Sequence, residues 1–240
     1  MSDKEREYLT DSIFLWNGQL FCEENNKIKE IKNHNWHHKL YEYGWEKLNK
    51  QWIKKLNNYQ EYPSKNSLYG ALDCGGEGEC LFHCLSYALN GDNNPRSLRE
   101  GLSESITKER FQIIIEFYQV MDSINEFEED WDPNEISYED FKKKVKNGGN
   151  EYWGDFLLLN LLKEYLNINF IVLNSNDLTN EYYYYPIFYE YNENIKTIIL
   201  LYENGIHFKL VGKFQGGNMT TLFTKETIPN EILKLINFLR

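Results

Sequence analysis

Gly75, Gly76 and Gly78, three glycines within four residues, stand directly before an apolar, helix-forming run that opens on a cysteine. The stretch Asp73-Cys74-Gly75-Gly76-Glu77-Gly78-Glu79 is too rich in glycine for a regular element. The run that follows, Cys80-Leu81-Phe82-His83-Cys84-Leu85-Ser86-Tyr87-Ala88-Leu89, reads as a helix that stops at Asn90-Gly91. The chain must therefore coil tightly and enter a helix with a thiol at its first residue. Unpaired backbone N–H groups and the helix dipole favour negative charge there, and only the thiolate form of cysteine attacks. The same turn aims N–H groups into one small space, which is how an oxyanion hole is built. Cys80 is thus a candidate nucleophile. Taken alone, the turn fits equally well a tight helix entry with Cys80 as a small buried hydrophobe. No Gly-Lys-Ser/Thr follows the glycines, so a phosphate-binding loop is excluded.

Cys74, Cys80, His83 and Cys84 are irregularly spaced, and no second ligand pair stands elsewhere, so neither a metal nor a cofactor is expected. His34, His37 and His38 flank Trp36 and read as solvated surface, while Cys22, Cys74 and Cys84 read as structural. The first residues, Met1-Ser2-Asp3-Lys4-Glu5-Arg6-Glu7, carry charge and no apolar stretch, unlike a signal peptide. With four cysteines and no apolar run long enough for a bilayer, the expectation is a reduced, cytoplasmic protein with no membrane partner. A net charge of −11 argues against nucleic acid as the main partner, because phosphate binding needs clustered Lys and Arg. An acidic surface favours a basic protein partner, or serves solubility alone.

Apolar residues at helical spacing predict one amphipathic helix over residues 36–56, ended by Tyr62-Pro63-Ser64. Before it, residues 13–21 fit a hairpin. A second helix is expected from residue 97 to about 120, then an acidic loop over 126–132. A short helix should open at Ser137-Tyr138-Glu139-Asp140, which has capping-box form. After Asn147-Gly148-Gly149-Asn150 the character changes. A helix is expected over 155–166, strands over 168–173, 182–191, 195–202 and 207–213, and a closing helix over 227–239. The Asn204-Gly205 pair marks a hairpin turn immediately before His207. Helices first and strands later suit an α+β domain, helices packed around a small central β-sheet. The expected spans are an N-terminal extension 1–65, a main domain 66–215 and a C-terminal helical piece 216–240.

These residues resemble the ovarian-tumour (OTU) family of cysteine proteases, mostly deubiquitinases. That family opens its central helix with Asp-Gly-Asn/Asp-Cys-Leu/Phe-Phe, and Glu77-Gly78-Glu79-Cys80-Leu81-Phe82 is similar to it. A second family block, Trp-Gly followed by a helix and an apolar strand, resembles Tyr152-Trp153-Gly154-Asp155-Phe156-Leu157-Leu158 through Asn169-Phe170-Ile171-Val172-Leu173. A third, a strand and turn before Gly-x-His-aromatic, resembles Ile198-Ile199-Leu200-Leu201-Tyr202 and Gly205-Ile206-His207-Phe208. The three blocks stand in the family's order over residues 68–213.

The resemblance implies an OTU-like fold with Cys80 as nucleophile and His207 as general base. It implies an oxyanion hole from the N–H groups of Glu77 and Cys80, with Gly78 and Glu79 in the turn and Trp153, Gly154 and Phe208 near the substrate channel. The implied reaction is attack on the carbonyl of ubiquitin's last glycine, then hydrolysis of a thioester. Ubiquitin, its chains or a ubiquitin-like modifier would be the partner, and the helical segment 91–150 would hold a ubiquitin-binding arm. The composition, and the Cys-Gly-Gly before the signature, resemble OTU-type proteins of large DNA viruses, which implies the host-cell cytoplasm.

Two departures stand out. Many members place Asp or Asn two residues after the histidine to orient it; here Lys209 occupies that position, and a cation cannot hold an imidazole or stabilise its charged form. Some relatives take this third group from upstream of the cysteine, which makes Asp73 or an N-terminal carboxylate the candidate. Glu77 also replaces the signature's aspartate. Lys209 is the main support for an alternative, an inactive relative that binds ubiquitin without cutting it. A papain-like peptidase is disfavoured, because Leu81 rather than Trp follows the cysteine.

Overall fold

A computed structural model describes residues 6–60, 67–89, 94–127, 130–175, 184–188 and 190–238. The strands are β1 (Glu7–Tyr8), β2 (Ile13–Trp16), β3 (Gln19–Glu24), β4 (Lys27–Glu30), β5 (Trp45–Lys47), β6 (Tyr69–Leu72), β7 (Asn169–Ser175), β8 (Tyr184–Phe188), β9 (Thr197–Glu203), β10 (His207–Gln215), β11 (Asn218–Thr220) and β12 (Leu222–Phe223). The helices are α1 (Trp36–Lys39), α2 (Lys50–Asn57), α3 (Cys80–Ala88), α4 (Pro95–Ser105), α5 (Lys108–Ser123), α6 (Tyr138–Asn147), α7 (Phe156–Leu166) and α8 (Asn230–Phe238). The chain is α+β. It forms two compact units, Met1–Asp73 with Ile171–Arg240, and Cys74–Phe170. These divide the chain elsewhere than at the expected boundaries near 65 and 215.

In the first unit, β1 to β4 form a small antiparallel sheet, and the main sheet runs β5-β6-β10-β9-β7-β8, with β11 on β10 and β12 on β9. The core of this unit gathers Trp52 and Leu56 of α2, Ile199 and Leu201 of β9, Val211 of β10, and Ile232, Leu235 and Ile236 of α8. Burying such side chains stabilises by about 1.5–3 kcal/mol each. Under this sheet the buried Glu231 accepts hydrogen bonds from Lys213 Nζ and Tyr69 Oη, both at 2.8 Å. Burial alone would raise its pKa, but those donors and a backbone N–H overcome it and hold the carboxyl below its ordinary value.

The single helix expected over 36–56 is four elements, α1, a 3-10 turn over Leu40–Tyr43, β5 and α2. Gly44 takes φ +88° after a 3-10 turn, Trp45–Lys47 becomes β5 and pairs with β6, and the Asn49 side chain caps α2 by accepting from Trp52 N. A left-handed glycine ends a helix, and a free strand edge captures the residues that follow. Leu40, Trp45, Leu48, Trp52 and Leu56 are all buried as the periodicity predicted, but from different elements; Tyr41, also on the predicted face, is 66% exposed. The helix expected over 97–120 is likewise two. Ile106 leaves helical geometry at ψ 117°, and the Thr107 side chain caps α5 by accepting from Arg110 N.

The second unit is helical, with α4 packed on α3, α6 and α7, and α5 on α6. The capping signal at 137 is present, since Ser137 Oγ accepts from Asp140 N at 3.1 Å. Asp155 caps α7 by accepting from Leu158 N, and also accepts from the Tyr118 hydroxyl at 2.6 Å. Burial raises the Asp155 pKa, and those hydrogen bonds offset this only in part. The hairpin over 13–21 is β2 and β3. The part of the expected 182–191 strand at residues 182, 183 and 189, and the turn at 62–64, lie outside the described residues. No helix among the described residues is long and apolar enough to cross a membrane.

Candidate active site

The turn before Cys80 is wound by left-handed residues: Gly75 at φ +133°, Glu77 at φ +58° and Gly78 at φ +80°. For Glu77 that conformation costs of order 1 kcal/mol, and such local strain persists only where surrounding contacts over-determine it. At Gly78 an added Cβ would lie 2.4 Å from the Gly149 carbonyl oxygen, so the close approach of these two backbones requires glycine. Glu79 N donates to Gly76 O, and Glu79 O then accepts from His83 N at 2.9 Å, which starts α3. Cys80 is the first residue of that helix.

One buried arginine holds this turn. Arg99, only 1% exposed, donates from Nε to Glu79 Oε2 at 2.8 Å and from its terminal nitrogens to the carbonyls of Gly78, Val145 and Tyr152. Its guanidinium also lies 3.9 Å over the Phe82 ring. The other Glu79 oxygen accepts from Gly149 N at 2.7 Å. Glu79 was expected among the substrate-binding residues, but its carboxylate is spent on this internal clamp. Sequence reading missed Arg99; its signal was an arginine set between Leu98 and Leu102 on the apolar stripe of a helix.

Cys80 retains 7% exposure, whereas Cys84 one turn on has none. No disulfide joins any of the four cysteines. Trp153 is 44% exposed, and Gly154 packs so closely on Leu81 that a Cβ there would lie 2.7 Å from its side chain. A cavity of about 630 Å³ opens beside the clamp, walled by Arg96, His83 and Lys146 among others, but Cys80 does not line it. Among the described residues no group of three or more His, Cys, Asp or Glu side chains converges as a metal site.

His207, in the first unit, opens β10 directly across from Glu203 of β9. The turn between them is closed by the Tyr202 hydroxyl, which donates to the Gly205 carbonyl. The Tyr202 ring packs on Phe208 at 4.6 Å between centroids. Phe208, expected near the substrate channel, is fully buried beneath that ring. The Nε2 atom of His207 is buried and 3.2 Å from Asp73 Oδ1. The two are at ion-pair distance without the alignment of a full hydrogen bond. Asp73 lies just past the end of β6, the strand beside β10.

Lys209 shares the face of β10 with His207, because strand side chains alternate. Its Nζ lies 2.9 Å from a Glu203 carboxylate oxygen and 4.0 Å from one of Glu46. Burial works against its charge, but Glu203 above all, with Glu46 and Asp73, holds the ammonium pKa above its ordinary value.

No family profile and no curated protein matches the chain. Solved structures do. An ovarian tumor (OTU) domain in complex with ubiquitin aligns at TM-score 0.44 and 18% identity, over 71% of this chain and 84% of that one. The OTUD1 OTU domain aligns at 0.39 and 14%, over 68% and 94%. An OTU deubiquitinase from Wolbachia pipientis wMel aligns at 0.39 and 15%, over 75% and 100%.

Proposed function

We propose that this protein is a deubiquitinating cysteine isopeptidase. Cys80 Sγ attacks the carbonyl of ubiquitin's last glycine, and His207 takes the thiol proton. Backbone N–H groups of the Glu77–Cys80 turn hold the oxyanion. Collapse of the tetrahedral species expels the lysine amine, which receives the proton from His207. Water, deprotonated by His207, then hydrolyses the thioester and frees both the ubiquitin carboxylate and Cys80.

The observation that carries this reading is the Asp73 carboxylate 3.2 Å from His207 Nε2. A base needs a third group that fixes its ring and stabilises its charged form. Lys209 cannot serve, but its ammonium is engaged by Glu203, and Asp73 takes the orienting place. Trp153, half-exposed, and Gly154, tight against Leu81, fit a wall for a narrow peptide tail. Along α5, Ile113, Phe117, Val120 and Ile124 form an exposed apolar stripe at helical spacing, with the exposed acids Glu109, Glu116 and Asp122 on the same helix. That surface suits the ubiquitin-binding arm expected within 91–150. The finer reading, a virus-encoded enzyme of the host cytoplasm, rests on composition and on the Cys-Gly-Gly before the signature.

The test is ubiquitin bearing a C-terminal vinyl electrophile. Labelling is expected, with complete loss in Cys80→Ala and retention in Cys84→Ala. Ubiquitin binding without labelling would favour the inactive module instead, and neither binding nor labelling would defeat both. Linkage-defined diubiquitins and a ubiquitin-like modifier then decide the substrate.

A further inference from the structure

The β10–β6 register pairs Leu210 with Leu72 and Val211 with Ala71. Continued by one residue, it sets Lys209 directly across from Asp73. Directly opposed residues of an antiparallel pair are the closest cross-strand neighbours, so an opposite-charge pair there is the expected one. A Lys209–Asp73 ion pair would engage the carboxylate that faces His207. The side chain goes elsewhere. On the other flank of β10, Lys209 opposes Leu201, and Glu203 is the diagonal neighbour two residues on. Lys209 Nζ takes that diagonal, 2.9 Å from Glu203, with Glu46 of β5 at 4.0 Å. Asp73 is left 3.2 Å from His207.

We propose that Glu203 is a positioning residue, which draws the Lys209 ammonium across the strand and so reserves the Asp73 carboxylate for His207. The charged groups around this strand end are Lys209 on β10, Glu203 on β9, Asp73 beyond β6 and Glu46 on β5. Without Glu203, the carboxylates left around the ammonium are Glu46, already 4.0 Å away, and Asp73 across the strand, and an ammonium that turns to Asp73 competes with the ring for the same oxygens. Lys209, which departs from the expected Asp or Asn, is thereby made harmless by a residue directly opposite the histidine. The catalytic consequence rests on the isopeptidase reading; the side-chain rearrangement does not.

Two arms keep these apart. In a crystal structure of Glu203→Gln, Lys209 Nζ is expected within about 4 Å of Asp73, the reach of an ion pair. In ubiquitin-isopeptide hydrolysis, Glu203→Gln is expected to lower kcat/KM roughly tenfold, as partial loss of general-base assistance. Glu203→Gln with Lys209→Met should recover most of the loss, since the competing cation is gone. Lys209 remaining away from Asp73 in Glu203→Gln overturns the proposal, and so does a double variant as slow as the single one. A parent protein inert towards ubiquitin defeats the isopeptidase reading alone, and the crystallographic arm still decides the role of Glu203.

Discussion

The turn that presents Cys80 and the strand end that presents His207 are built on opposite plans. Around the thiol, buried contacts hold the turn: Arg99 binds Glu79 and three carbonyls, and Glu79 also binds Gly149 N. At the strand end a few charged side chains hold one another near solvent, and the Asp73 side chain is 56% exposed. The first arrangement fixes a backbone shape and is cooperative with folding. The second places a carboxylate beside a ring and is expected to matter little for folding. A strained turn must be held by buried contacts, whereas an imidazole needs only one acceptor in place.

The largest expected effect breaks the thiol side. Arg99→Met leaves the Glu79 carboxylate and three carbonyls without their donor, and should cost about 3–5 kcal/mol in urea unfolding. A loss below about 1 kcal/mol would mean that the clamp does not hold the turn. Asp73→Asn gives the contrast. Hydrolysis should fall on the order of tenfold to a hundredfold, with unfolding stability changed by less than about 1 kcal/mol, because the carboxylate is half in water. Equal damage to folding and rate would erase the distinction between the two regions.

The pH dependence of stability should also differ in sign. Glu231, packed on β10 through Lys213, has a folded pKa below its ordinary 4.5. Its contribution is present above that ordinary value and is lost as pH falls through the folded one. Asp155, at the start of α7, has a folded pKa above its ordinary 3.8, so its contribution is present below 3.8 and is lost as pH rises through the folded value. Unfolding midpoints measured from about pH 3 to pH 7 should therefore show Glu231→Gln flattening the acid loss, and Asp155→Asn flattening a loss in the other direction. The smallest effect is at Glu77, where Glu77→Gly relieves a left-handed side chain and should stabilise by up to about 1 kcal/mol.

Much of this was legible because local chemistry dictated it. The glycines before Cys80, the Asn-Gly turn before His207, the Ser137 cap and the apolar strand at Ile171 act within a few residues, and they appear where the pattern set them. The 36–56 segment was misread because helical spacing reports which residues are buried, not which element buries them. Only the free edge of β6, a partner distant in sequence, makes Trp45 a strand residue. Arg99, Glu203 and the burial of Phe208 depend on side chains meeting across elements. Lys209 looked like a defect in the sequence because its partner, Glu203, becomes its neighbour only through strand register.

The central claim is that Cys80 is an activated thiol with His207 as its base. Alkylation by iodoacetamide at about pH 6, mapped by mass spectrometry on the folded protein, tests it most directly, because thiolate character sets the rate. Cys74, partly exposed six residues earlier, serves as the internal reference, since Cys80 is the less accessible of the two. Cys80 is expected to react first, and His207→Ala to slow it to the rate of Cys74 or below. Modification of Cys74 ahead of Cys80, or a Cys80 rate unmoved by His207→Ala, would contradict it.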